Sequence, residues 1–253
     1  AKLTNQAETK ADEIYQLGST NIENLLWYAS FMGKIGNFEN ELKGLEQVLH
    51  FDPINSFAIT RLADIYISKG DIGLAREVLS KLSNNDQIKD SDIQHVIISY
   101  LRIGDFENAL DWFSKQSEPA NERESQNHIL DKIYLLMQNK NWDHALADLQ
   151  TIKRYFPNSR TISAIEGECL YNQEDFSAAI YAFDVAISFN PDHDQFVQDY
   201  LKMGGLIPSD WLTRKSTQIA ILTQLTNSYK LKHEFDHALA VIDRIIKINP
   251  HLS

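Results

Sequence analysis

Residues 56–82, SFAITRLADIYISKGDIGLAREVLSKL, hold two apolar helical patterns joined at Lys69-Gly70-Asp71. In the first, Ile59, Leu62, Ala63, Tyr66 and Ile67 recur at intervals of three and four, so one helix face is apolar while Arg61, Asp64 and Ser68 lie off it. Gly70 stands where a left-handed backbone costs no side-chain clash, and Asp71 is placed to cap the next helix through its free N–H groups. Ile72, Ala75, Val78, Leu79 and Leu82 repeat the spacing, with the small Ala75 where two helices can approach closely. A helical hairpin results, and about thirty residues cannot bury its remaining apolar side alone, because chain entropy outweighs so small a core.

The hairpin recurs. The residue after each turn falls at Phe38, Ile72, Phe106, Trp142, Phe176 and Phe235, with gaps of 34, 34, 36, 34 and 59. Three positions on stand Glu41, Ala75, Ala109, Ala145, Ala179 and Ala238, and closing prolines follow at Pro53, Pro157, Pro191 and Pro250. These markers, in GDIGLAREVLSKL, GDFENALDWF, NWDHALADLQTIKRYFP, EDFSAAIYAFDVAISFNP and HEFDHALAVIDRIIKINP, resemble the tetratricopeptide repeat (TPR) family. The resemblance implies an all-α, right-handed superhelical solenoid of about six helix-turn-helix repeats. Residues 1–21 read as a polar segment or capping helix through Ala7, Ala11, Ile14 and Leu17, 22–191 as five repeats, 192–218 as an insertion, and 219–253 as the sixth repeat. Three departures stand out: Glu41 in the small-residue series, the polar linker SEPANERES in place of a proline in repeat three, and Glu166 beside Gly167 in repeat five.

The insertion, DHDQFVQDYLKMGGLIPSDWLTRKST, breaks any helix begun at Asp194 at Gly204-Gly205, and Pro208-Ser209-Asp210 starts another. The first helix of repeat six is expected to run from near Trp211 to Lys232. The insertion either covers local apolar surface or forms a flap over the groove or a docking element for a partner.

The 253 residues are 43% hydrophobic, ample for a stacked core, and the net charge of −11 argues against nucleic-acid binding, which rests on clustered Lys and Arg. No apolar run approaches the roughly twenty residues that span a bilayer, so a soluble chain is expected. The single cysteine, Cys169, excludes an intramolecular disulfide and leaves the compartment open, with the cytoplasm favoured over an exported location. The start at Ala1, without Met or a signal core, reads as a processed chain or an excised piece.

His233-Glu234-Phe235-Asp236-His237 matches the H-E-x-x-H signature of zinc proteases, which needs both histidines on one continuous helix. The repeat register instead puts His233 in a turn, equivalent to Gly70 and Gly104. Cys169 reads as a small buried hydrophobe, and Glu166, Glu168, Glu174 and Asp175 as a solvated face. No catalytic residue, metal or cofactor is therefore expected, and the chain reads as a non-enzymatic scaffold or adaptor for a protein or peptide. The alternative is a regulatory or assembly module of a larger enzyme or secretion complex.

The resemblance implies that first helices line a concave groove that binds extended or helical peptides. Its candidates here are Trp27, Arg61, Asp64, Arg102, Tyr134, Tyr171 and Asn172, aromatics and arginines being the commonest hot spots. One well-known groove of the family grips a chaperone's C-terminal carboxylate with lysine, asparagine and arginine. The corresponding places here hold Leu26 and Ser30, then Arg61, then Ser91 and His95, and do not match it. A second surface is expected at the C-terminal end, where Leu239, Ile242, Ile245, Ile246 and Ile248 make the last helix apolar with no capping helix after it. That end reads either as part of a longer protein or as packing on another subunit, including by self-association, or on its own flanking segment.

Overall fold

The computed structural model describes residues 2–17, 20–83, 88–190, 195–203 and 205–250. Pro191, Asp194, Gly204 and residues 251–253 lie outside them, as do the side chains of Ala7, Ile14 and Leu17. The chain divides into two compact units, 1–117 and 118–253. Helices account for all the regular structure among the described residues.

Unit 1 contains α1 (Lys2–Leu17) and three hairpins: α2 (Ile22–Lys34) with α3 (Phe38–Phe51), α4 (Ser56–Lys69) with α5 (Ile72–Ser80), and α6 (Asp90–Arg102) with α7 (Phe106–Phe113). The polar α1 packs on α2: Ala11 is buried with Tyr28 and Met32, Tyr15 stacks on Tyr28 at 4.4 Å, and the Tyr28 hydroxyl donates to Asp12 at 2.7 Å. Burial and the neighbouring Asp12 carboxylate push the Tyr28 hydroxyl well above its ordinary pKa, so it stays a donor.

Unit 2 contains α8 (Glu122–Gln138) with α9 (Trp142–Tyr155), α10 (Arg160–Asn172) with α11 (Phe176–Ser188), then α12 (Gln195–Met203) and α13 (Ser209–Ser216), and finally α14 (Gln218–Leu231) with α15 (Phe235–Ile248). Part of the linker SEPANERES is helical, because Asn121 accepts from the Glu124 N–H at 3.0 Å and starts α8 at Glu122. The long helix expected from Trp211 to Lys232 is two helices. Thr217, extended at φ −71° and ψ 138°, ends α13 and caps α14 by accepting from the Ala220 N–H at 3.3 Å.

The turn inside each hairpin has one left-handed residue: Gly36, Gly70 and Gly104 in unit 1, and Lys140, Glu174 and His233 in unit 2, at φ 58° to 82°. The expected role of Gly70 holds. Asp71 follows it at the cap position but makes no side-chain cap hydrogen bond, unlike Asn37, Asp105 and Asp175. The small-residue series is the packing seam: Ala75, Ala109, Ala145 and Ala179 are fully buried and Ala238 nearly so. At Gly167 a Cβ would lie 2.6 Å from the Phe183 ring, so α10 and α11 meet at that glycine. The residues that mark each turn are less buried than a packing role implies, with Phe38 and Phe235 more than half exposed.

Candidate functional site

Counting back from each left-handed turn residue gives a common register for the first helices. Nine residues before it stand Trp27, Arg61, His95, Asp131, Ile165 and Gln224; six before it stand Ser30, Asp64, Ile98, Tyr134, Glu168 and Asn227. These positions form one face, and most of the groove candidates lie on it or beside it.

In unit 1 the face is open. Trp27 is 48% exposed and stacks on Phe31 at 5.6 Å, and Ile98 is 41% exposed. Phe57, four residues before Arg61 and so one turn away on the same face of α4, is also largely exposed. Asp64 and Arg102 pair with each other across α4 and α6, and the Ser56 hydroxyl donates to Asp92 at 2.6 Å, a second tie between these helices. Both members of the Asp64–Arg102 pair remain more than a third exposed, so solvent screens the pair and its stabilisation is small.

Arg61 has a second role that the sequence pattern concealed. Glu41, in the seam position where other repeats carry alanine, is 1% exposed, and Arg61 grips it with two nitrogens at 2.5 and 3.1 Å. A Cβ at Gly33 would overlap the Glu41 carboxylate, so Gly33 makes the space that alanine would otherwise leave. The hydrogen bond to Glu41 holds the Arg61 guanidinium more firmly protonated than usual, although its partial burial works against this. Above the pair lies a hollow of about 480 Å³ bounded by Ser30, Gly33, Lys34, Glu41, Phe57 and Arg61.

In unit 2 the same register is covered on α8 and largely on α10, and half-buried on α14. Tyr134 and Asp131 are each only 9% exposed, because α12, α13 and the turn between them lie on α8 and α10. The Tyr200 hydroxyl and the Leu206 N–H, the latter at 2.8 Å, both donate to the Asp131 Oδ1. The Ile207 N–H donates to the Tyr200 oxygen at 2.9 Å, and a Cβ at Gly205 would overlap that hydroxyl. Trp211 meets Tyr134 edge to face at 5.2 Å, Lys215 pairs with Glu168, and Phe196 packs on Phe156 at 5.1 Å. Burial pushes the Asp131 carboxyl up to about 6, although the hydrogen bonds from Tyr200 and Leu206 pull the other way.

Tyr171 packs edge-on against Phe176 at 5.6 Å and belongs partly to the core of unit 2, whereas Asn172 is exposed and donates to the Glu168 carbonyl at 2.8 Å. Glu166, rather than facing solvent freely, pairs with Lys153 at 2.6 Å and accepts from Gln150 at 3.0 Å. His233 sits in the left-handed turn and His237 on α15, with Glu234 bridging Lys232 and His237, so the continuous helix of a zinc protease is not formed there. Cys169 is fully buried, and desolvation pushes its thiol up to about 12, far from a nucleophile's range. At the C-terminal end Ile242 and Ile245 are partly covered, while Leu239, Ile246 and Ile248 are exposed. No helix among the described residues is long and apolar enough to cross a membrane.

No family model and no curated protein matches the chain. Solved structures do. YrrB, a TPR protein, is 15% identical over 76% of this chain and 96% of its own, with a TM-score of 0.52. A tetratricopeptide repeat protein from Parabacteroides merdae ATCC 43184 is 17% identical over 89% of this chain and 79% of its own, also with a TM-score of 0.52. With its hairpin period, its left-handed turns and this likeness, the chain has the tetratricopeptide repeat fold.

Proposed function

We propose that the chain is a non-enzymatic protein-interaction scaffold that receives a peptide or protein segment on the first-helix face of unit 1. The observation that carries this reading is exposure along one face: Trp27, Phe57 and Ile98 offer apolar area to solvent. Arg61 and Arg102 stand among them, already oriented by Glu41 and Asp64. Large aromatic and aliphatic side chains beside fixed arginines supply both the area and the directional bonds of a binding hot spot. The solved structure of YrrB is described as having an unusual peptide-binding site, which supports this use of the fold.

Panning a peptide library against the intact chain and titrating the recovered peptides tests the proposal. Trp27→Ala with Phe57→Ala is expected to weaken them at least tenfold, about 1.4 kcal/mol. Unchanged affinity would remove unit 1 as the binding face. Self-association through α15 is a separate proposal, supported by the exposure of Leu239, Ile246 and Ile248. Light scattering that shows a strict monomer at high concentration would end it.

A further inference from the structure

Within unit 2 the segment 195–216 lies on the first helices of its hairpins in the manner of a bound ligand. Its buried Phe196, Ile207 and Leu212 anchor it, and polar and aromatic side chains reach the first-helix face at three points: Tyr200 to Asp131, Trp211 to Tyr134, and Lys215 to Glu168. It has no part in the hairpin period, since the left-handed turns before and after it, at Glu174 and His233, are 59 residues apart where others are 34 or 36 apart. The face beneath it occupies the register that stands open in unit 1.

The chemistry of that face defines what fits it. Without the segment it would present the Tyr134 ring and two carboxylates, Asp131 and Glu168. An occupant must bring hydrogen-bond donors to the first, an aromatic edge to the ring, and a cation to the second. Trp211 and Lys215 deliver the last two from one turn of α13, four residues apart. The segment also underfills the surface. A hollow of about 380 Å³ remains between α10, α13 and α14, with Ala164, Phe183, Trp211 and Ile221 as apolar wall. Its size lies within the roughly 300–1,000 Å³ of ordinary binding pockets, and it gives a competitor a foothold beside α13.

We infer that residues 195–216 are an intramolecular ligand on a second binding face, and that a partner's helical segment carrying an aromatic residue and, four positions later, a lysine or arginine displaces them. The acidic face favours such a cationic segment, and tethering sets the threshold: a free competitor must overcome the high effective concentration of the attached one. This inference is independent of the reading of unit 1.

The test is a fluorescence-anisotropy titration of a labelled synthetic peptide of residues 195–216 with the full chain and with its Trp211→Ala/Lys215→Glu variant. The variant is expected to bind the peptide at least tenfold more tightly, because its own segment holds the face less firmly. A designed helical peptide that shares only the tryptophan and the lysine four positions on is expected to compete. Equal affinity for the two chains, or no competition, overturns the inference. Should the double variant lose its helical circular dichroism, Lys215→Glu replaces it and Glu168→Lys is added. The charge-swapped chain should return to the weak peptide affinity of the parent, and failure to do so overturns the inference equally.

Discussion

Units 1 and 2 are built on the same hairpin and treat their first helices in opposite ways. In unit 1 the positions nine and six residues before the turn carry Trp27, Arg61, Asp64 and Ile98 and meet solvent; in unit 2 Asp131, Tyr134 and Ile165 are buried and Glu168 is mostly covered, while Gln224 and Asn227 on α14 stay half-buried. The difference lies outside the repeats, in α12 and α13. The repeat positions a face, and a segment outside the repeat period decides whether that face is available.

The comparison can be broken most severely at its two buried carboxylates. Arg61→Ala leaves Glu41 charged and buried without its partner. Such a loss costs about 3–5 kcal/mol in a dry site, and the half-exposed position of Arg61 lowers the expectation to about 2 kcal/mol by chemical denaturation. Adding Glu41→Ala, which restores the alanine of the other repeats, should recover most of that loss. A double variant no better than Arg61→Ala would show that Arg61 matters by packing alone.

In unit 2 the corresponding experiment is a pH series. The folded Asp131 carboxyl titrates near 6, above its ordinary 3.8, so the folded state holds this proton more tightly than the unfolded state does. The stabilisation from that proton is complete below pH 3.8 and is lost as pH rises through 6, by about 2–3 kcal/mol in all. Asp131→Asn should remove this component, so the stability difference between parent and variant should change across that window. A difference that stays constant would place Asp131 in contact with water. Tyr200→Phe, which takes one donor from the buried oxygen, is expected to cost about 1–3 kcal/mol and to loosen 195–216 in hydrogen exchange.

The smallest effects belong to the turns. Lys140, Glu174 and His233 adopt the left-handed conformation that glycine supplies in unit 1. Each change to glycine should stabilise unit 2 by about 0.5–1 kcal/mol, the relief of strain exceeding the added freedom of the unfolded chain. A loss of stability on all three would mean that their side chains hold the turns.

The hairpins were legible in sequence because their determinants are local. Each of the alanines at 75, 109, 145, 179 and 238 stands five residues after the residue at its turn, Gly70 in the first of them, and acts within its own hairpin or on the next. Glu41 was visible as an exception, but its resolution needed Gly33 on the preceding helix and Arg61 on the following one, and neither stands out by type. A covering role was among the readings open for the insertion, but its place over Tyr134 was not legible. Asp131 and Tyr200 are 69 residues apart, and nothing in the period of the repeats indicates where a non-repeating segment will lie. Phe57 was missed for a simpler reason: it is the second residue of α4, ahead of the apolar pattern that defined the helix.

The most direct test of the contrast between the units uses the protection of Cys169, which is fully buried and so leaves the background of thiol labelling low. Gln94 and Leu130 occupy the same register, ten residues before Gly104 and Lys140, one exposed and the other 2% exposed. Labelling of Gln94→Cys should proceed near the rate of an unfolded control. Leu130→Cys should be protected at least tenfold, and that protection should fall when Trp211→Ala/Lys215→Glu is added. Equal rates at the two positions, or protection at Leu130→Cys that ignores the changes in 195–216, would contradict the account.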